Sequence, residues 1–527
     1  MKKHLLFAAF GLLVAGTANA QWTEEGLCFW TGEISNYGRE IKTNADGITY
    51  AYFYGVDTGG YPQYVVVMDK EGHLLTEGNG LLLSQETNKS WTVINNYMGI
   101  DAYGNAFVAV LDQRTGLGES YTVYKVGPDG KLIWGDKTLN NGLPAAPDCA
   151  GMSMCPTSDG GAIFAYMGMT YESDVPSFIN IEKLNKDGNS VWRQQLKDPD
   201  KLLSYTYPYL VDAGDNQAVL FYMEGAGYTT KARLLDFDGS NAWDEDVVVW
   251  RGGYGSMPPH VQVAAGKGPD GVCFAWQSGS KTTDCYENRL CYILKDDGSY
   301  AFSDGEGGTV ISNDDVLSRR VPDFYWDESD QAFYCFFGEY DQAYQSYRGL
   351  YMQKMSDEGE LLWGPNGIAV AEMAEDQQYL GMQVRDAGDG QVAVFYQHMD
   401  GWFAFGDVET LMTLYDKDGN LVREAVDLTP WPGTKSDLYV SDLIDGEYYI
   451  VSWSEDDPEN EYHERYYAKR VNLNGEPLEP SAIDQHLSPI THHPSPIYDL
   501  QGRRVAHNAA AVESGVYVKD GKKYVVK

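Results

Sequence analysis

The chain contains the stretch Leu184-Asn185-Lys186-Asp187-Gly188-Asn189-Ser190-Val191-Trp192. An apolar residue precedes an Asp-Gly pair here, and a tryptophan follows four residues after the glycine. Asp-Gly between two strands predicts a tight β-hairpin, because glycine accepts the positive φ of such a turn at little cost. Seven further copies of this hairpin pattern lie before and after it.

The eight copies form a repeat with a regular spacing. Their turn glycines lie 51 to 61 residues apart, at Gly72, Gly130, Gly188, Gly239, Gly298, Gly359, Gly419 and Gly475. In every copy the residue before the glycine is Asp, Glu or Asn. An aromatic residue stands four positions after the glycine in five copies, at Trp134, Trp192, Trp243, Phe302 and Trp363. Columns that keep one register indicate a repeated structural unit.

Each unit contains a second hairpin upstream of the first. Its turn is Asp46-Gly47 in the first unit and Asp159-Gly160-Gly161 in the third, where the apolar run Ala162–Tyr166 follows. A unit therefore predicts four antiparallel strands, a to d, joined by an a–b turn, a variable b–c loop and a c–d turn. Four-strand units repeated at a fixed period are typical of β-propellers. We expect an all-β, eight-bladed β-propeller over Gln21–Pro480, with a seven-bladed ring as the alternative.

The two ends of the repeat region predict how the ring closes. The eighth unit ends after Gly475-Glu476-Pro477-Leu478 without a recognisable strand d. The segment Trp22-Thr23-Glu24-Glu25-Gly26 matches Trp363-Gly364-Pro365-Asn366-Gly367 of the sixth unit. We therefore expect the N-terminal segment to supply the outer strand of blade 8, which leaves no open sheet edge between the chain ends.

Composition limits the possible partners. The chain has 39 Lys and Arg against 77 Asp and Glu, a net charge of −38. Such a charge repels nucleic-acid phosphates and anionic lipid headgroups, so we expect no nucleic-acid partner. Apart from the N-terminal region, no apolar stretch is long enough for a transmembrane helix.

Residues 1–20 have the three parts of a signal peptide. Lys2 and Lys3 form a basic region, Leu5–Val14 is a short apolar region, and Ala18-Asn19-Ala20 is a typical cleavage site. We expect the mature chain to begin at Gln21 and the protein to be secreted or displayed on the outer cell surface.

The C-terminal part differs in composition from the repeats. Residues 481–496 are rich in proline and histidine and predict a linker. The segment 497–527 contains Tyr498-Asp499-Leu500-Gln501-Gly502-Arg503-Arg504-Val505, then Gly515-Val516-Tyr517-Val518, and it ends in Val525-Val526-Lys527. This tail resembles a short form of the type IX secretion system sorting domain of Bacteroidetes-type bacteria. The resemblance implies a small β domain and a partner in the outer-membrane secretion machinery.

The sequence identifies no catalytic residues, no cofactor and no metal site. The pairs in Asp236-Phe237-Asp238-Gly239 and Asp416-Lys417-Asp418-Gly419 are fragments of a calcium-loop pattern, but they lack its further ligands and fall on the repeated hairpin turns. No nucleophile motif appears beside a matching histidine. With 77 carboxylates in the chain, no single pair stands out as a candidate acid and base.

Two b–c loops carry the best candidates for ligand binding. Strand order places all b–c loops on one face of the ring, and blades 6 and 7 are neighbours. Their loops contain six aromatic residues, Tyr340, Tyr344, Tyr347, Trp402, Phe403 and Phe405, close in sequence to Asp341 and Asp407. Aromatic rings beside polar groups suit stacking on sugar rings or contact with a protein. Because of the negative net charge, we expect a neutral sugar to bind better than an anion.

The sequence therefore predicts an exported or cell-surface propeller that binds a glycan or protein ligand without catalysis. The alternative is a secreted polysaccharide hydrolase or lyase with carboxylates at the propeller axis. The two differ in one structural feature. An enzyme would bring carboxylates from different blades together at the axis, at least one of them with a raised pKa.

Overall fold

The structure is a computed structural model of the chain. It describes residues 22–30, 35–56, 61–77, 80–85, 97–112, 114, 120–139, 148–169, 175–200, 202–251, 263–280, 284–312, 314, 316–341, 348–401, 406–457, 464–478, 497–498, 504–506, 515–519 and 522–526. The chain divides into two compact units, residues 1–479 and 480–527.

The first unit is an all-β, eight-bladed propeller, as predicted. Each blade is a four-stranded antiparallel sheet whose strands follow one another in sheet order. The chain starts with β1 (Leu27–Trp30), which belongs to blade 8. Blade 1 consists of β2 (Ser35–Thr43), β3 (Thr49–Val56), β4 (Gln63–Met68) and β5 (Leu81–Ser84), and blade 2 consists of β6 (Tyr97–Ile100), β7 (Ala106–Asp112), β8 (Ser120–Val126) and β9 (Leu132–Thr138). Blade 3 consists of β10 (Asp148–Pro156), β11 (Ala162–Met169), β12 (Phe178–Leu184) and β13 (Ser190–Leu196), and blade 4 consists of β14 (Tyr205–Gly214), β15 (Gln217–Glu224), β16 (Thr229–Asp236) and β17 (Val247–Trp250).

Blades 5 to 8 repeat the same order. Blade 5 consists of β18 (Val263–Lys267), β19 (Gly271–Gly279), β20 (Tyr286–Leu294) and β21 (Thr309–Ser312), and blade 6 consists of β22 (Ser318–Asp327), β23 (Ala332–Tyr340), β24 (Arg348–Ser356) and β25 (Ile368–Ala371). Blade 7 consists of β26 (Gln377–Asp386), β27 (Gln391–Asp400), β28 (Val408–Asp416) and β29 (Leu421–Asp427), and blade 8 consists of β30 (Lys435–Val440), β31 (Tyr448–Asp456), β32 (Glu464–Asn472) and the N-terminal β1.

The N-terminal strand closes the ring, which confirms the prediction from the two ends of the repeat region. β1 pairs antiparallel with β32, with Leu27 opposite Ala468 and Cys28 opposite Tyr467. Blade 8 is therefore built from both ends of the propeller sequence. The chain cannot lose this strand without opening a sheet edge.

The aromatic column and the glycine column of the repeat meet between blades. The Trp134 Nε1–H of blade 2 donates to the Lys186 carbonyl of blade 3 (2.8 Å). A Cβ added at Gly188 would lie 2.9 Å from the Trp134 ring, so the tryptophan rests on a glycine that has no side chain. Trp192 and Trp243 make the same hydrogen bond to the next blade. The turn glycine therefore serves the neighbouring blade as well as its own hairpin.

The same contact joins blade 8 to blade 1. Trp22 is buried, and its Nε1–H donates to the Lys70 carbonyl (2.8 Å) beside the turn at Gly72. Its ring would lie 3.1 Å from a Cβ at Gly72. Trp22 is thus the tryptophan of the repeat for blade 8, although it stands more than 400 residues before the rest of that blade.

The core lies between blades. Eight buried apolar clusters each combine residues of two neighbouring blades, for example Phe107 of blade 2 with Phe164 of blade 3. The cluster between blades 8 and 1 contains Trp22, Phe29 and Phe53. Five of the described cysteines are buried in this core or at its edge: Cys155, Cys273, Cys285, Cys291 and Cys335.

The second unit contains a small antiparallel sheet in the order β34-β33-β35-β36, formed by β33 (Ile497–Tyr498), β34 (Arg504–Ala506), β35 (Gly515–Lys519) and β36 (Lys522–Val526). Within the described ranges, no helix has the length and apolar character needed to span a membrane.

Candidate functional site

The first strands of most neighbouring blades contact one another, and these strands share an irregularity. In six blades the first strand has a register shift against the second strand. The first paired residue after the shift is Glu40, Met152, Tyr209, Asp323, Gln383 or Tyr439. Bulges of this kind redirect side chains and are frequent next to active sites.

Several residues in these bulges adopt the left-handed conformation. Positive φ angles occur at Gly151 (50°), Tyr207 (51°), Val321 (57°), Gly381 (60°) and Asp437 (56°). For the β-branched Val321 this conformation is strained, because its side chain crowds the backbone. Strained backbone held in place by the surrounding structure is concentrated at functional sites. Left-handed backbone thus occurs at the bulges of blades 3, 4, 6, 7 and 8, and Val321 of blade 6 is its β-branched member.

Polar side chains at the post-bulge positions connect neighbouring blades. The Met98 N–H of blade 2 donates to Glu40 Oε2 of blade 1 (2.6 Å). Gln383 of blade 7 donates through Nε2 to the Leu438 carbonyl of blade 8 (2.8 Å). The Tyr439 hydroxyl of blade 8 donates to Thr43 Oγ1 of blade 1 (3.2 Å). These contacts form a polar belt that joins blades 7, 8, 1 and 2.

Arg385 strengthens the belt between blades 7 and 8. Its Nη2 group donates to Gln383 Oε1 (2.7 Å) and to the Val440 carbonyl (2.7 Å). Its Nε–H also donates to the Val440 carbonyl (3.1 Å). The guanidinium is therefore held in one orientation, near the axial end of blade 7.

Two carboxyl groups from different blades belong to this region. Desolvation by the surrounding protein raises the pKa of Glu40, while Lys42, with Nζ 3.6 Å from Glu40 Oε1, acts in the opposite direction. Desolvation likewise raises the pKa of Asp323, and Arg385 and Lys42 partly oppose that rise. Asp323 accepts a hydrogen bond from the Phe324 N–H (2.8 Å). Lys42 thus acts on carboxyls of blades 1 and 6.

Asp323 also lines a cleft between blades 6 and 7. The cleft has a volume of about 250 Å³. Its wall in blade 6 includes Val321, Asp323, Phe337, Tyr340 and Arg348, and its wall in blade 7 includes Tyr379, Leu380, Gly381 and Met382. The bulge residues Val321 and Gly381 are therefore part of the wall. Aromatic and aliphatic surfaces with a few polar groups are typical of small-molecule sites.

Tyr340 is fixed at the b–c end of this cleft. Its ring lies 5.2 Å from the Arg320 guanidinium and 5.5 Å from that of Arg348. A Cβ added at Gly338 would lie 2.9 Å from the Tyr340 ring, so only glycine leaves room for the ring at that place. Cation–π contacts on one tyrosine hold an aromatic platform beside two positive groups.

Tyr379 is the second fixed aromatic residue of the cleft. Its ring stacks on His398, with centroids 4.9 Å apart and planes inclined by 24°. His398 Nδ1 lies 2.8 Å from Glu409 Oε2, and Nε2 is hydrogen bonded to Gln377. These contacts position the Tyr379 ring before any ligand binds.

The structure describes one of the six predicted ligand-binding residues. Tyr340 lies in the cleft, next to Arg348. The other five, Tyr344, Tyr347, Trp402, Phe403 and Phe405, lie outside the described residues. Their contribution stays a prediction.

The sequence analysis did not identify Asp323, Arg348 or Tyr379. Asp323 and Tyr379 lie on first strands, which the repeat columns do not mark, and Arg348 is the first residue of a strand. A polar residue in an otherwise apolar strand was the only available signal, and it does not reveal a bulge.

Two larger cavities lie at the other ends of the strands. They have volumes of about 840 and 520 Å³ and are lined mainly by a–b and c–d turn residues of blades 2 to 5. Phe237 is the one aromatic residue among the described residues that line them. They lack the paired aromatic walls of the blade 6–7 cleft, so we regard the latter as the candidate site.

The calcium-like fragments form turns, as predicted. Asp416 Oδ1 accepts hydrogen bonds from the N–H groups of Asp418 and Asn420 (3.0 and 2.8 Å). Asp69, Glu71 and His73 have potential ligand atoms within 4.8 Å of one another. Asp69, however, uses Oδ1 for the N–H groups of Glu71 and His73 in the same kind of turn. The turn accounts for this arrangement.

Comparison with known proteins gives no family for this chain. No protein family and no curated protein matches the sequence. Among solved structures, the polysaccharide lyase Uly1 has a TM-score of 0.43 and 10% identity, covering 87% of this chain and 95% of that one. A puromycin hydrolase variant has a TM-score of 0.41 and 13% identity, with coverages of 77% and 57%. A eukaryotic initiation factor has a TM-score of 0.40 and 10% identity, with coverages of 86% and 90%. Similarity at this level specifies no function.

Proposed function

We propose that this protein is an exported or cell-surface propeller that binds a glycan in the cleft between blades 6 and 7 without converting it. The observation that carries the proposal is the pair of fixed aromatic residues, Tyr340 and Tyr379, in the walls of one cleft with Arg348 and Asp323. Aromatic faces stack on the apolar faces of sugar rings, while the polar groups fix orientation.

The volume of the cleft indicates that it binds a small part of a ligand. Pockets for drug-sized ligands usually measure about 300–1,000 Å³. A cleft of about 250 Å³ therefore suits one sugar ring of a longer chain rather than an extended oligosaccharide. The predicted aromatic loops of blades 6 and 7, including Tyr344 and Trp402, would provide contacts for neighbouring rings.

The location follows from the signal-like N-terminus and the C-terminal tail. Residues 1–20 and 497–527 support passage through the outer-membrane secretion machinery to the outside of the cell. An exported binder would meet polysaccharides of the surroundings or of other cells.

A glycan array screened with the chain from Gln21 tests this function. We expect binding that decreases at least tenfold in Tyr340→Ala, because stacking contributes about 1.4 kcal/mol or more. Tyr103→Ala is a matched control, because Tyr103 is an exposed tyrosine on an a–b turn at the other end of the strands. The double variant Tyr344→Ala, Trp402→Ala tests the predicted loops. Binding that survives all cleft and loop variants would show that another surface is used.

A second candidate function has support from the axial carboxyls. Glu40 and Asp323 come from different blades, and desolvation raises the pKa of both. A carboxyl with a raised pKa is one of the features expected of a hydrolase or lyase, because it can donate a proton to a leaving group. Incubating the bound glycan with the protein and measuring new chain ends distinguishes the two functions. Release of fragments that is abolished in Asp323→Asn would favour catalysis, whereas unchanged glycan with full binding would favour the binding function.

A further inference from the structure

We propose that the glycan bound in the blade 6–7 cleft carries a carboxylate and that Arg348 recognises it. The inference rests on the proposed glycan-binding function and names the chemical class of the ligand. It differs from the expectation of a neutral sugar, which came from the net charge of the whole chain.

Arg348 has no hydrogen-bond acceptor among the residues that the structure describes. Its guanidinium lines the cleft and contacts the Tyr340 ring, but it forms no hydrogen bond or ion pair with the part of the chain that the structure describes. Its Nε is buried and unpartnered. A buried N–H group of an arginine without an acceptor is costly, and such groups usually have a partner. The Nη groups of Arg348 have no acceptor among the described residues either, and they are not fully buried, so they are the donors that a ligand in the cleft can reach.

Other arginines of the propeller show the contrast. Among the described residues, Arg319, Arg465 and Arg470 also have a buried Nε without a partner. Each of these three has an acceptor on another nitrogen: Glu339 at 2.6 Å, Asp457 at 2.9 Å and the Lys70 carbonyl at 3.2 Å, respectively. Arg348 alone in this group has none.

The charges around the cleft favour an anion next to Arg348. Asp323 lines the same cleft, but it forms no ion pair with Arg348. Arg385 and Lys42 act electrostatically on Asp323 and offset its charge. Among the described residues, no carboxylate therefore forms an ion pair with Arg348, although the chain has a net charge of −38.

A carboxylate is the anion that suits this geometry best. The planar guanidinium presents parallel N–H groups that match the two oxygens of a carboxylate. The neighbouring Tyr340 and Tyr379 would at the same time contact the ring of the sugar that carries it. A uronic acid unit of a polysaccharide combines both features in one residue.

The test compares uronic acid oligosaccharides with their methyl esters, which differ by one charge on each unit. Oligomers of galacturonate, glucuronate and mannuronate are titrated into the protein at low salt, each paired with its ester. At least one acid is expected to bind about tenfold or more tightly than its ester, because hydrogen bonds to charged groups contribute more than neutral ones. Arg348→Gln should remove the preference for the acid over the ester, so that the acid loses about tenfold or more in affinity and the ester loses much less.

Two controls and one further probe complete the experiment. Arg348→Lys keeps the charge but loses the planar fork, so the acid should bind with intermediate affinity. Arg251→Gln removes an exposed arginine outside the cleft and should change nothing. A sulfated neutral oligosaccharide that binds while all uronates fail would overturn the carboxylate assignment.

The possible failures can be told apart. Equal affinity for acid and ester, or an acid affinity unchanged in Arg348→Gln, would overturn the inference while glycan binding stands. Binding of neutral glycans alone would have the same meaning. If no glycan binds to the protein, the proposed function itself is wrong.

Discussion

Trp22 offers a test of the ring closure at a single side chain. It is 4% exposed, its ring lies on Gly72 of blade 1, and its Nε1–H donates to the Lys70 carbonyl. A buried tryptophan removes about 150–250 Å² from water, which at about 25 cal/mol per Å² corresponds to about 4–6 kcal/mol. Alanine retains a small part of this area. We therefore expect Trp22→Ala to lower the free energy of unfolding by about 3–5 kcal/mol.

Urea unfolding of the chain from Gln21, followed by circular dichroism, measures this change. Trp22→Phe keeps most of the ring packing and loses the hydrogen bond, so it should cost about 1–2 kcal/mol. Val191→Ala, on the outer strand of blade 3 and 55% exposed, is a control that should stay within about 0.5 kcal/mol of the wild type. A Trp22→Ala protein within about 1 kcal/mol of the wild type would refute the role of this residue in closing the ring.

Two further predictions concern the buried ion pair of blade 2 and the C-terminal tail. The side chains of Lys125 and Asp101 are almost fully buried, and Lys125 Nζ lies 2.7 Å from Asp101 Oδ2. Lys125→Met should lower the free energy of unfolding in urea by about 3–5 kcal/mol, because it leaves a buried carboxylate without its ion-pair partner. Adding Asp101→Asn should restore a large part of this free energy. Deletion of residues 497–527 should abolish delivery of the protein to the cell surface, as measured by cell fractionation. Unchanged delivery of the shortened protein would contradict a sorting role for this segment.

The blade number and the closing strand could be predicted because both require particular residue types at fixed positions of the sequence repeat. A turn glycine such as Gly188 has few substitutes at positive φ, and Trp134 of the preceding blade occupies the space above it. Two constraints on one residue produce a column that is visible in a single sequence. The match of Trp22 to this column located the outer strand of blade 8.

The cleft could not be predicted in the same way. Its walls come from residues such as Asp323 and Tyr379, which are far apart in sequence and meet only because blades 6 and 7 pack together. The bulge between Arg320 and Asp323 adds residues to one strand without requiring a particular residue type. Val321 even adopts a conformation that its side chain disfavours. The backbone preference of a residue such as Val321 therefore does not predict the cleft, which is determined by the packing of blades 6 and 7.

The axial carboxyls make a final prediction about stability and pH. Desolvation raises the pKa of Asp323 in the folded chain above its value in the unfolded chain. Between these two pKa values the folded state binds more protons, so stability falls as pH rises through that range. Ionised Asp323 therefore lowers the stability of the folded chain at neutral pH.

Asp323→Asn removes the charge while its side-chain oxygen can still accept the Phe324 N–H. The variant should be more stable than the wild type at pH 7, and this difference should shrink as the pH falls through the raised pKa of Asp323 toward the ordinary aspartate range. Glu40→Gln should behave in the same way, because desolvation also raises the pKa of Glu40. Asp200→Asn, at an exposed turn, serves as a control with the same stability as the wild type at both pH values. Destabilisation of the protein by Asp323→Asn at pH 7 would contradict this prediction. It would mean that the attraction of Arg385 and Lys42 for the Asp323 carboxylate outweighs the cost of its desolvation.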